Sequence, residues 1–261
     1  MTQTSKLVLV TGASSGIGAA FARRLAADGT NLIVVGRDRA RLEALKAELA
    51  NVAVRVVTAD LSTDDGVQAV AEVCRSEPLS MLINNAGVAH YMAFAALPVE
   101  KANELVHVKV VAPTMLAHAA VPGMIARGGG TIVNVAGMLA FSGPAPIAEH
   151  PLRRAIYTAT LAHIVALSQV LAEELRVEGV RVQALCPGVV ATEFHTRQGF
   201  DLSAIPRMSA DDVVTASLRG LELGEVVCAP GVERPELLDA VFKADLAAFG
   251  GQSPQLATRY R

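Results

Sequence analysis

The stretch Val8-Leu9-Val10-Thr11-Gly12-Ala13-Ser14-Ser15-Gly16-Ile17-Gly18 decides how the rest of the chain must be folded. Its apolar, largely β-branched start reads as a buried strand, and the glycines at G-x-x-x-G-x-G spacing read as a turn that runs straight into a helix. Gly12 permits the tight turn, Gly16 lets the backbone approach an anion such as a pyrophosphate, and Gly18 lets the helix pack on the strand. The unpaired N–H groups at the helix start, around Ser14, Ser15 and Ile17, then face that anion.

Outward from this turn the same unit repeats. Short β-branched runs at 7–10, 32–35, 52–57, 81–84, 131–135, 180–185 and 226–228 alternate with Ala-, Leu- and Glu-rich stretches such as 17–27, 39–49 and 64–74. The stretches between runs are long enough for crossovers, so the strands run parallel. The reading is an α/β fold: a doubly wound, Rossmann-like sheet of about seven parallel strands with helices on both faces. Such sheets take ligands beyond the carboxyl ends of their strands, where the strand order reverses. A single domain over 1–261 is expected. It would carry an irregular Pro- and Gly-rich insertion at about 141–156, a lid at about 191–209 and a C-terminal helix at about 233–250.

Composition narrows the class. The chain has 261 residues, 52% hydrophobic, 18% charged and only 4% aromatic, with a formal charge of −2. Small aliphatic residues in that proportion suit helices over a buried sheet and exclude disorder as the main state. A near-neutral balance gives no global field for nucleic acid or an anionic membrane, so neither is expected as a partner. Cys74, Cys186 and Cys228 form no C-x-x-C pair, and His90, His107, His118, His163 and His195 lack metal-ligand spacing, so no metal is implied. The polar start meets Gly12 too soon for a signal-peptide core, and a cytoplasmic location is expected.

Four motifs in order carry a resemblance to a known family. Thr11 to Gly18 is TGxxxGxG, Asp60 follows the third strand, Asn84-Asn85-Ala86-Gly87 is NNAG, and Pro187 to Thr192 is PGxxxT. Over nearly its whole length the chain resembles the short-chain dehydrogenase/reductase family. The resemblance implies a nicotinamide dinucleotide held by Gly12, Ser14, Ser15, Gly16, Ile17, Gly18, Asp60, Leu61, Asn85, Ala86, Gly87, Pro187, Gly188, Val190 and Thr192. Charge points to NADP(H). The second strand ends Val35-Gly36-Arg37, with no acidic side chain for a ribose 2′-OH and with a guanidinium, Arg37, that can fork onto a 2′-phosphate.

The catalytic positions depart from the pattern. The family moves protons with a Ser, a Tyr and a Lys in Y-x-x-x-K, and an Asn. The resemblance implies Tyr157 as the tyrosine, but Leu161 stands at the Lys position, Gly137 at the Ser position and Lys109 at the Asn position. The stretch before Tyr157 is longer than usual in the family, and it contains Ser142 and His150, each able to donate to a carbonyl oxygen in place of the serine. A phenol without a neighbouring cation stays protonated at neutral pH and serves as a proton donor rather than a base. Lys109 is expected to reach the place that Leu161 vacates and to lower the phenol pKa.

Two functions follow. One is an NADP(H)-dependent oxidoreductase that reduces a carbonyl, imine or activated alkene of a small hydrophobic substrate, the apolar side chains Phe194, Phe200, Leu202, Ile205 and Met208 covering it. The other is a non-redox cyclase, lyase or cofactor-binding pseudoenzyme that keeps nucleotide binding and has lost ordinary hydride transfer. The helix at 156–177 has apolar residues beyond one stripe, and a homodimer or homotetramer is expected.

Overall fold

In β1 (Leu7–Thr11), Val8 and Val10 enter one apolar core and Leu9 enters another, because successive side chains of a strand leave on opposite faces. The alternation repeats in β2 (Asn31–Gly36), where Leu32 and Val34 join the first core and Ile33 and Val35 the second. It continues in β4 (Met81–Asn84) with Ile83 against Leu82, and in β5 (Gly130–Val135) with Val133 and Val135 against Ile132. Strands apolar on both faces must be covered on both, which is why they read as unbroken apolar runs. In this computed structural model, which describes residues 6–145 and 153–261, β3 (Val54–Thr58), β6 (Val180–Leu185) and β7 (Val227–Cys228) complete the sheet. Among the described residues its order is β3-β2-β1-β4-β5-β6-β7, and every pairing is parallel.

Helices cover the two faces. α1 (Gly16–Ala27), α2 (Arg39–Glu48) and α7 (Ala210–Leu223) bring Phe21, Leu25, Leu42, Leu45 and Val213 to the first core. α3 (Asp64–Ser76) and α5 (Ala112–Ala126) bring Val70, Leu116 and Met124 to the second. A third cluster lies under α4 (Val99–Val106) and α6 (Ala155–Glu174) and includes Leu105, Tyr157, Leu161 and Ile164. Two helical spans, Val99–Ala126 and Ala155–Glu174, are long and apolar enough to cross a membrane by composition. Covering the sheet demands the same composition, and Leu105, Leu116, Met124 and Ile164 are buried in it.

Two features of these helices position the site. Between α4 and α5 the chain winds as a π-helix, His107–Val111, and Lys109 sits in it, buried. A π turn holds one extra residue and so re-aims its side chains relative to the helices on either side. A buried polar thread ties α6 to the sheet: Asn84 Nδ2 donates to Asn134 Oδ1 at 2.9 Å, and Asn134 Nδ2 donates to Ser168 Oγ at 3.0 Å.

Boundaries shift slightly from expectation. The third strand runs over 54–58, not 52–57, and α6 stops at Glu174 before a 3-10 turn, Arg176–Glu178, that Gly179 closes at φ 72°. The 191–209 segment has no long element, only a 3-10 turn at Thr196–Gln198 and an isolated bridge between Val190 and Met208. Of the insertion expected at 141–156, residues 146–152, and with them His150, lie outside the described residues. The chain divides into two compact units, one up to Pro230 and one from Gly231 to Arg261. The second unit is α8 (Glu236–Gly250) followed by a 3-10 turn, Thr258–Tyr260, where the Arg259 guanidinium lies 4.6 Å from the Tyr260 ring centre.

Candidate active site

The strand order reverses between β1 and β4, and the loops that leave their carboxyl ends diverge there. The crevice between them is the mouth of a cavity of about 1030 Å³. Gly12, Ser14, Ser15, Gly16 and Ile17 line it, together with Arg37, Asp60, Leu61, Asn85, Ala86, Gly87, Pro187, Gly188, Val190 and Thr192. Fourteen of the sequence-expected cofactor residues would mean little if scattered, but here they form one continuous wall with Arg37. Gly18 stands behind that wall: a Cβ on it would run into the Gly12 carbonyl oxygen and come within 2.5 Å of Asn85 Nδ2.

The glycine turn is built for close approach. Gly12 and Gly16 have φ of 64° and 55°, and a Cβ on Gly12 would sit 2.8 Å from Ala86 Cα. Asn85 holds the turn, its Nδ2 donating to the Thr11 and Gly12 carbonyls at 2.9 and 3.2 Å. Its side chain therefore shapes the cradle, and residues 85–87 line the cavity. The N-cap of α1, Ser15, makes no side-chain cap, which leaves the first-turn N–H groups for an anion.

Charge concentrates at the β2 end. Arg37 and Arg41 both line the cavity, and the acidic neighbour Asp38 is engaged as the N-cap of α2, its Oδ1 accepting from Arg41 N at 3.0 Å. Arg37 pairs loosely with Glu104 at 3.5 Å, and Arg41 pairs with Glu193 at 2.7 Å. Burial works to raise the Asp60 carboxyl, but donation from Ser62 N–H and hydroxyl and the charge of Arg37 outweigh it, so Asp60 titrates below its ordinary value. Arg41, in the first turn of α2, was not among the residues singled out in the sequence.

At the opposite end Tyr157, Leu161, Gly137, Tyr91 and Lys109 line the cavity. Burial holds the Tyr157 phenol above its ordinary value, and the neighbouring Tyr91 adds to the effect. Lys109 Nζ donates to the Val135 carbonyl at 3.2 Å and its stem lies against Gly87. Burial pushes the Lys109 ammonium down to about 8. The lysine is therefore neutral before the phenol could ionise. This corrects the expectation that Lys109 lowers the Tyr157 pKa, and Tyr157 stays protonated across the physiological range. Ser142 is also displaced from its expected part: its Oγ donates to the Leu139 carbonyl at 2.9 Å and accepts from Arg154 Nη2 at 3.1 Å, away from the cavity lining.

Lys109 gives a stability prediction. Below pH 8 folded and unfolded chains both hold its proton and the buried charge costs its full amount. Between about 8 and the ordinary 10.5 the unfolded chain keeps a proton that the folded chain has released, so stability rises with pH through this window. Urea unfolding of Lys109→Met should show that rise lost, with a gain at neutral pH of up to about 3 kcal/mol. An unchanged pH slope would mean that the ammonium is not desolvated.

Tyr91 lines the cavity beside Tyr157, a position the sequence reading did not single out. Its only local signal is its place a few residues after Asn84-Asn85-Ala86-Gly87, and its place in the site comes from α6 bringing Tyr157 against it. The two rings meet edge to face at 5.6 Å.

Comparison with known proteins agrees with this geometry. Residues 6–201 match the family model described as short chain dehydrogenase. An uncharacterized oxidoreductase of Staphylococcus epidermidis is 30% identical over 220 residues, which are 83% of this chain and 90% of that protein. A short-chain dehydrogenase from Sphingobium yanoikuyae, solved in complex with NADPH, superposes with a TM-score of 0.92 at 36% identity, over 98% of this chain and 100% of that one. The bulky-bulky ketone specific alcohol dehydrogenase from Comamonas testosteroni superposes with a TM-score of 0.87 at 32% identity, over 98% of each chain. The chain belongs to the short-chain dehydrogenase family.

Proposed function

We propose that this protein is an NADP(H)-dependent reductase of a small hydrophobic substrate, a ketone before an imine or activated alkene, with Tyr157 as the proton donor. One observation carries the reading: the glycine cradle and the protonated Tyr157 open into the same cavity. The residues present fit a nicotinamide dinucleotide. The α1 N-terminus and the 12–17 turn would hold its pyrophosphate, Arg37 and Arg41 the 2′-phosphate, Asp60 and Leu61 the adenine, and 187–192 the nicotinamide. When bound, that cofactor supplies the hydride. Tyr157 gives its hydroxyl proton to the carbonyl oxygen and recovers one from solvent.

The catalytic set is atypical in this reading, with Gly137, Leu161 and Lys109 where the family has Ser, Lys and Asn. The apolar lid at 191–209 and the alcohol dehydrogenase relative that takes ketones with two bulky groups both support a bulky, apolar substrate. We take 1–261 as one functional domain in the cytoplasm. The exposed face of α6, with Ala159, Ala162, Ala166 and Val170, supports a homodimer or homotetramer. Light scattering reads this directly, and a monomer at micromolar concentration would remove it.

The decisive experiment measures Kd for NADPH and NADH, then NADPH oxidation with a panel of bulky ketones. NADPH should bind roughly 10²-fold tighter. Arg37→Ala and Arg41→Ala should each weaken NADPH about tenfold or more and leave NADH unchanged, the scale of a charge-assisted hydrogen bond. Equal affinities for the two dinucleotides would refute the NADP assignment. The non-redox alternative draws on Leu161 filling the space beside Gly137. Tight NADPH binding without oxidation by any ketone, imine or activated alkene would decide for it.

A further inference from the structure

With Gly137 at the end of β5 and Ser142 turned away, the cavity lacks the serine hydroxyl that would steady a substrate oxygen beside Tyr157. From the geometry we infer that Tyr91 takes this place: its hydroxyl is the second hydrogen-bond donor to the substrate carbonyl oxygen. The inference rests on the reductase reading and adds to it the residue that completes the donor pair.

Tyr91 and Tyr157 come from different parts of the chain, the loop after β4 and the start of α6, and meet at the cavity wall. The two phenols shift each other's titration, and their rings meet edge to face at the wall of one cavity. Two hydroxyls carry two hydrogens. At most one is taken up between them, and a carbonyl oxygen with two lone pairs accepts both once it enters. Tyr91 is also held in place before any substrate arrives. The Phe200 ring stands at 90° to it with centres 5.1 Å apart, and the His195 ring lies parallel to it at 6.4 Å. A donor fixed in advance needs no reorganisation when negative charge grows on the oxygen.

The electrostatics fit a donor. Burial pushes the Tyr91 phenol up to about 12, while the interaction with Tyr157 and the positive charge of the buried Arg154 oppose that rise. Tyr91 thus stays protonated at working pH, and Arg154 makes it a stronger donor than burial alone would leave it. Arg154 itself is held by donating to the Gly143 and Ala145 carbonyls at 3.2 and 2.7 Å, so the segment after β5 serves the site through this guanidinium rather than through Ser142.

Gly137 offers a complement. A Cβ there would meet Leu161 Cδ1 at 3.5 Å and the Pro187 oxygen at 3.6 Å, which are ordinary contacts, so a serine fits. The test compares wild type, Tyr91→Phe, Tyr157→Phe and Tyr91→Phe with Gly137→Ser. It uses benzophenone with NADPH for turnover and N-phenylbenzamide, a carbonyl that is not reduced, for binding by calorimetry. Tyr91→Phe removes one oxygen and keeps every ring contact, so the NADPH Kd and Tm should hold. Its kcat should fall roughly 10²-fold with KM changed far less, amide binding should weaken about tenfold, and Gly137→Ser should recover part of the lost kcat. Wild-type kcat and amide affinity in Tyr91→Phe would overturn the inference, as would a loss confined to KM or a double variant no faster than Tyr91→Phe. Failure of the reductase reading looks different: wild type would oxidise no NADPH with any ketone, while amide binding would still report on Tyr91.

Discussion

Tyr157→Phe should lower kcat for ketone reduction by roughly 10²- to 10⁴-fold, the range for loss of a positioned proton donor. NADPH affinity should be unchanged, because the ring remains packed and only its oxygen is lost. The prediction follows from burial. The phenol is held above its ordinary value, so the proton that it must give is present throughout the neutral range. The same fact sets the pH profile: reduction should show no fall near neutrality from Tyr157, and an inflection near pH 8 would belong to Lys109. Retention of kcat within about threefold would show that the proton comes from elsewhere.

Gly18→Ala should abolish measurable dinucleotide binding, although alanine is the better helix former by about 1 kcal/mol. Gly18 lies in α1 with ordinary helical backbone, so strain is not the reason. A Cβ there meets the Gly12 carbonyl oxygen and the Asn85 amide, two backbone-anchored groups that fix the phosphate turn. Relief requires α1 to move off β1, which would pull the first-turn N–H groups out of line and cost several times the propensity gain. Calorimetry with NADPH reads the loss, and the melting temperature should fall as well. Binding within tenfold of wild type would mean that the turn can shift without losing its anion site.

The fold was legible because the central strands β1, β2, β4 and β5 had to be apolar on both faces. Runs such as Leu32 to Val35 can be nothing but buried, and the glycine turn fixed where the first strand ended and the first helix began. The cofactor wall was legible for the same reason. Its residues follow strand ends, and strand ends in a parallel sheet share one edge. Arg41 was not legible, because it reaches the cavity from the first turn of α2 rather than from a strand end. The reaction end was harder. Ser142 and His150 were singled out by nearness in sequence to Tyr157, yet Ser142, just past a 3-10 turn, bonds back to the Leu139 carbonyl and to Arg154, and His150 falls outside the described residues.

The sequence by itself determined the parallel α/β sheet, the glycine cradle, Arg37 at the end of β2 and Tyr157 at the start of its helix. These are local: each depends on periodicity, on backbone freedom at a glycine, or on the residue that follows a strand. Only the tertiary structure decided what surrounds the phenol. The π-helical turn that buries Lys109 against Gly87 and the Val135 carbonyl, and the meeting of Tyr91 with Tyr157, join segments far apart in the chain. Burial there is a property of the packed assembly. It lowers the lysine, raises both phenols and so leaves a pair of protonated hydroxyls where sequence alone suggested a lysine-assisted tyrosine.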